Sequence, residues 1–71
     1  MDRMQIESRI IRSIGYEPNS ATLEIEFEHG GIYRYFDVPA LVYEQLMASP
    51  SKGAAFHEFV REAGYKYVRV R

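Results

Sequence analysis

The stretch Leu23-Glu24-Ile25-Glu26-Phe27-Glu28 constrains this chain more than any other. Apolar and acidic side chains alternate with a period of two, the pattern of a strand with one dry and one wet face. His29-Gly30-Gly31 follows at once and offers glycine for a positive φ, so the strand turns back as a hairpin. Residues 32–37 (Ile-Tyr-Arg-Tyr-Phe-Asp) are the returning strand.

Two registers satisfy this hairpin. A two-residue loop at His29-Gly30 pairs Phe27 with Ile32 and turns Tyr33 and Tyr35 outward. A three-residue loop at His29-Gly30-Gly31 pairs Phe27 with Tyr33 and Ile25 with Tyr35. The second also sets Glu26 opposite Arg34, answering a charge that otherwise has no partner on that face. We favour it, which turns Tyr33 and Tyr35 toward the core with their hydroxyls at its edge.

Around this hairpin the pattern is simple. Residues 8–16 read as a first strand, with Gly15 as a bulge or bend. Glu17-Pro18-Asn19-Ser20 is a turn, in which proline fixes φ and asparagine tolerates a positive value. Pro39 suits the first turn of a helix over 39–48, with Val42 above Leu46 and Tyr43 above Met47. Ser49-Pro50 stops that helix. Ser51 caps a second one over 52–63, where Phe56, Phe59, Val60 and Ala63 share a face and Gly64 ends it. Residues 65–70 are a short last strand or an extended tail. The fold class is therefore α+β: a small antiparallel meander of three strands, with a fourth at the C-terminus, and two short helices on one face.

Seventy-one residues make one domain, 1–71, with no internal repeat or linker. A domain this small buries only ~60% of its unfolded surface, so its core is thin. There is no cysteine, hence no disulfide framework and no thiolate metal site. No apolar run approaches the ~20 residues of a membrane span, and the N-terminus lacks the pattern of a secretory leader, so the expected location is the cytoplasm. The net charge of −1 argues against strong non-specific binding to nucleic acid. Its distribution is uneven. Residues 1–50 carry four basic and eight acidic side chains, and residues 51–71 carry five and two. Such an asymmetry leaves one face positive, although ordinary scatter of surface charge also produces it.

Little in the chain reads as catalytic. His29 and His57 lack the spacing of a metal site and are plain surface histidines; no cofactor is expected. Ser49, Ser51 and His57 come with no nucleophile elbow and no orienting acid. An enzyme would need a concave pocket holding His57 or His29 beside a carboxylate. Two features remain. Ser51-Lys52-Gly53 combines a hydroxyl, a cation and a small residue at a helix start, as an anion site does, but also as an ordinary cap does. The six tyrosines (16, 33, 35, 43, 65 and 67) are a heavy load in the absence of tryptophan. Aromatics on an open sheet with cations nearby hold single-stranded nucleic acid; they also build thin cores.

Ser8, Ile11, Ile14-Gly15-Tyr16, Leu23-x-Ile25-x-Phe27 with Gly30, Tyr33-Arg34-Tyr35, Val38-Pro39, and Ser51-Lys52-Gly53 with Phe56 together resemble the KTSC domain. That family is named for the C-terminus of some lysyl-tRNA synthetases and also occurs as small stand-alone bacterial and phage proteins. The resemblance covers residues 8–67, and its hallmark Tyr-x-Tyr is Tyr33-Arg34-Tyr35 here, which we read as structural. His57 stands where the family often shows an asparagine. The family has no established activity, and its association with a synthetase implies an accessory RNA contact.

The expectation is a non-catalytic binding module for RNA, tRNA included. Ser51, Lys52, Gly53, Arg61, Lys66, Arg69 and Arg71 are the candidate anion-binding residues. Tyr65 and Tyr67 are the candidates for stacking on a base. The alternative is a protein-interaction or homo-oligomerisation module that pairs through a free sheet edge.

Overall fold

The computed structural model describes residues 1–71. Five strands form one antiparallel sheet in sequence order: β1 (Met4–Gln5), β2 (Ile11–Glu17), β3 (Thr22–Phe27), β4 (Ile32–Tyr35) and β5 (Tyr67–Arg69). Two helices, α1 (Ala40–Ala48) and α2 (Lys52–Phe56), lie between β4 and β5 in the chain. A π-helical turn, His57–Arg61, continues α2. The α+β class is as expected, but the sheet has one strand more than the three or four expected. The extra one is β1, two residues long and too short to show any period.

The hairpin follows neither register. Leu23 pairs with Tyr35, Glu24 with Arg34, Ile25 with Tyr33 and Glu26 with Ile32. The loop is Glu28-His29-Gly30. Phe27 donates its N–H to Gly31 O at 2.9 Å, and Gly30 donates back to Phe27 O at 2.9 Å. Gly30 takes φ +100, the left-handed position of a three-residue hairpin loop. The tyrosines face the side expected, because the register moved by two residues and not one. The charge pairing did change: Arg34 answers Glu24, not Glu26.

Two other local readings are corrected. The β2 irregularity lies between Ile11 and Ser13, not at Gly15. It lets Ile11 pack with Phe27 on the core side while Ser13 sits beside Glu26 on the other. In the turn before β3 the left-handed residue is Ala21 (φ 52), not Asn19. Ala21 is held there because its carbonyl accepts the Val38 N–H at 2.9 Å, tying that turn to the β4–α1 connection.

The core lies between the sheet and the helices. Ile11, Ile14, Leu23, Ile25, Val38, Leu46 and Val60 are fully buried. Val42, Tyr43 and Met47 of α1 pack against them, as their spacing required. Tyr16 stacks on Tyr43 at 4.8 Å and donates its hydroxyl to Val38 O at 2.6 Å. The second helix is shorter than the 52–63 expected. Only Lys52–Phe56 is α-helical; the next turn widens, and Glu62 donates its N–H five residues back to His57 O at 3.0 Å. Gly64, at φ +76, ends it as expected.

The opposite face of the sheet is covered by the N-terminal segment. Gly15 faces it directly: a Cβ there would stand 2.4 Å from Asp2 O. Arg3 lies over the same face. Its Nε donates to Ser13 Oγ at 2.9 Å and its Nη1 to Glu24 Oε2. Arg34 Nε donates to Glu24 Oε1 at 2.8 Å, and Ser13 Oγ to Glu26 Oε1 at 2.8 Å. Glu24 is thus clamped between two guanidiniums.

Candidate functional site

Strand β5 returns after both helices and pairs with β4, setting Tyr67 opposite Tyr35 and Arg69 opposite Tyr33. Four alternate residues of two strands therefore share the helix side of the sheet. The pairing extends at both ends: Phe36 donates to Lys66 O at 2.9 Å, and Val70 to Ile32 O at 2.8 Å. Facing these strands is α2 with its π-helical turn. Between them runs a groove of about 1270 Å³.

Aromatic rings make up its floor. Phe27 meets Tyr33 edge-on at 5.4 Å and Phe56 edge-on at 5.3 Å. Tyr35 meets Phe56 at 5.5 Å and Tyr67 at 5.4 Å, and Tyr33 lies 5.9 Å from Tyr67. His29 stacks on Phe27 at 5.5 Å. The Arg69 guanidinium sits 5.7 Å from the centre of the Tyr33 ring, a cation–π contact. Tyr35 is buried, Tyr33 and Tyr65 are half-buried, and Tyr67 is 59% exposed. Burial pushes the Tyr35 hydroxyl up to about 12, helped by Tyr67 and Tyr33 and opposed by the charge of Arg61.

The helix side forms the other wall. Ser51, Gly53, His57, Glu58, Arg61 and Glu62 all line the groove. His57 Nε2 lies 3.5 Å from Glu62 Oε1, with the two side chains 60% and 70% exposed. This is a solvated pair on the rim. It does place a histidine beside a carboxylate in a concave site, an arrangement invisible in the linear spacing. No group of three or more His, Cys, Asp or Glu side chains is placed to hold a metal ion.

Of the expected site residues, Ser51, Gly53, Arg61, Tyr65 and Tyr67 line this groove, as do Tyr33 and Tyr35. Arg69 joins them through Tyr33. Lys52, Lys66 and Arg71 do not line it. Ser51 and Lys52 spend their polar atoms on the chain itself. The Ser51 hydroxyl accepts the Ala54 N–H at 3.4 Å, and Lys52 Nζ donates to Ser49 O. Gly53 lets the helix start close on Ile10, whose Cδ1 would lie 3.1 Å from an added Cβ. Phe27, Phe56, His29, Glu58 and Glu62 were missed as site residues. Phe27 stands on the apolar side of the β3 alternation and Phe56 on the apolar side of the second helix, positions that read equally well as core. The two glutamates carry no signal until β5 closes the far wall.

A five-stranded antiparallel sheet carrying two helices on one face, with an aromatic groove at its last strand pair, is the architecture that these residues define. The chain belongs to the KTSC domain family, whose model matches residues 7–70. It is 46% identical over 61 residues to a lysine–tRNA ligase of Nostoc sp., covering 86% of this chain. That match takes up only 11% of the ligase, so the chain spans about a tenth of that relative's length. It is 37% identical over 70 residues to an uncharacterized protein of Stutzerimonas stutzeri, with 99% of both chains covered. The crystal structure of a KTSC domain protein from Yersinia pestis superposes with a TM-score of 0.90 at 33% identity, covering 99% of this chain and 97% of that one. The KTSC domain is thus found both within tRNA ligases and in short chains of this length. No helix is long and apolar enough to cross a membrane.

Proposed function

We propose that this chain is a non-catalytic RNA-binding module that takes RNA, tRNA included, in the groove between β4–β5 and α2. The observation that carries this is the Arg69 guanidinium lying on Tyr33 at a tyrosine-lined groove. Aromatic faces hold bases by stacking, and arginine beside them meets the phosphates. Arg61 lines the same groove, and Lys66 and Arg71 flank β5. Tyr67 is the exposed ring on which a base stacks, with Tyr65 half-buried beside it in the groove. Lysine–tRNA ligases among the relatives support the same ligand class. Ser51 and Gly53 contribute as a wall of the groove more than as an anion site, and Lys52 lies outside it.

An amide NMR titration with bulk tRNA and with a short single-stranded RNA tests this, at low and at raised salt. The expected shifts fall on the groove residues of β4, β5 and α2 and shrink as salt rises. Lys66→Glu with Arg69→Glu abolishes them. A spectrum unmoved by both RNAs overturns the reading.

A second reading rests on the free edge of β5, where Val68 and Val70 are 46% and 43% exposed. Such an edge accepts a strand from a protein partner or a second copy. Lys66, Arg69 and Arg71 along it oppose self-pairing by charge. Light scattering on the chain decides: a stable dimer favours this reading.

A further inference from the structure

We infer that the free edge of β5 takes an extended segment of another protein, one in which apolar and acidic residues alternate, as a further strand of the sheet; this deepens the strand-edge reading above and rests on it. Phe36 donates its N–H to Lys66 O at 2.9 Å, and Val70 to Ile32 O at 2.8 Å. Backbone direction alternates along an antiparallel pair. Lys66, Val68 and Val70 therefore turn their polar backbone groups toward β4, and Tyr67 and Arg69 turn theirs away from it. Strand β5 ends the sheet, so no other strand meets those outward groups. They form an open ladder for an incoming segment.

The side chains along the edge define which segment fits. Val68 and Val70 alternate with Tyr67 and Arg69, so they share the face away from the helices, and both are exposed. Lys66, Arg69 and Arg71 are cationic, and residues 65–71 contain no acid. None of the three cations is in an ion pair. Glu58 and Glu62 stand across the groove on the helix wall, together with Arg61 and His57, and neither pairs with them. An edge guarded only against aggregation needs the cations but not the exposed valines. Apolar residues of the segment cover the valines, and its carboxylates answer the cations across the strand pair. A second copy of β5 brings the same cations and is repelled.

Two end-blocked hexapeptides, VEVEVE and VKVKVK, are titrated into the full chain at low salt and followed by amide shifts and hydrogen exchange. VEVEVE is expected to bind about tenfold tighter, the effect of two or three cross-strand charge pairs that attract one peptide and repel the other. Exchange is expected to slow at the outward amides of Tyr67 and Arg69. In the Lys66→Glu, Arg71→Glu double variant, whose substituted side chains are exposed, the preference reverses toward VKVKVK. Equal affinities for the two peptides, or a preference unchanged in the variant, overturn the acidic assignment and leave the strand-edge reading standing. Binding that leaves the Tyr67 and Arg69 amides unprotected overturns the inference. Failure of both peptides to bind does the same, and a monomer in light scattering then overturns the strand-edge reading as well.

Discussion

Glu24 belongs to an acidic stripe that the alternation of β3 marks as wet, yet it is 3% exposed. Burial alone would raise its pKa; the hydrogen bonds from Arg34 and Arg3, with their charges, more than offset this and hold it below the ordinary carboxylate value. A lowered pKa adds stability that is complete above the ordinary carboxylate range and is lost as pH falls through the lowered value. Glu24→Gln is expected to cost about 2 kcal/mol at neutral pH, the scale of a hydrogen bond to a charged group. Urea melts at pH 7 and pH 3 check this, and the gap between variant and parent must narrow at the lower pH. Tyr35 behaves in the opposite sense. Its pKa is raised to about 12, so the stability tied to its protonated form is full below pH 10 and drains away as pH rises through 12. An ultraviolet titration should show one of the six tyrosines ionising near pH 12, and the Tyr35→Phe variant should lack that step.

At the scale of elements, the sequence was most legible where periodicity ran longest. The alternation at 23–28 locates β3, and the i,i+4 pairs locate α1, to within a residue or two. The hairpin register failed because the loop absorbed Glu28, a residue that reads as strand. The choice of Arg34's partner then followed the wrong loop. The π-helical turn has no sequence signature, since its apolar residues also fit an α-helix over that short span. Gly15 was rightly marked as special, but the reason lay in a different part of the chain. Only a residue without Cβ lets the Asp2 backbone lie on β2. Gly15→Ala is therefore expected to lift β1 and cost about 1–3 kcal/mol, the usual range for overpacking a tight site. Hydrogen exchange should then accelerate at the Ile6 amide, which donates to Arg12 O at 2.9 Å in the parent. An unchanged melt with Ile6 still protected would show that the N-terminal segment does not rest on Gly15.

For the whole molecule, charge placement matters more than its near-zero sum. The uneven distribution was readable from the sequence, but the groove was not, because its two walls come from residues that only the β4–β5 pairing brings together. Two or three cations within reach of phosphate predict a log–log salt slope of about −2 for single-stranded RNA. Arg61→Glu with Arg69→Glu should flatten that slope and remove binding while the fold, read by circular dichroism, stays intact. The position of β5 has a further consequence for how the protein is made and lost. Strands β2, β3 and β4 join through short loops, so their contacts close at low entropic cost. Strand β5 reaches Tyr33 and Tyr35 only across both helices. Its three residues are all exposed. It is therefore expected to assemble after the meander in folding and to open before it in local unfolding. Under mild denaturant the groove should be dismantled while the meander persists, so any recognition that needs both of its walls is expected to fail before the chain melts.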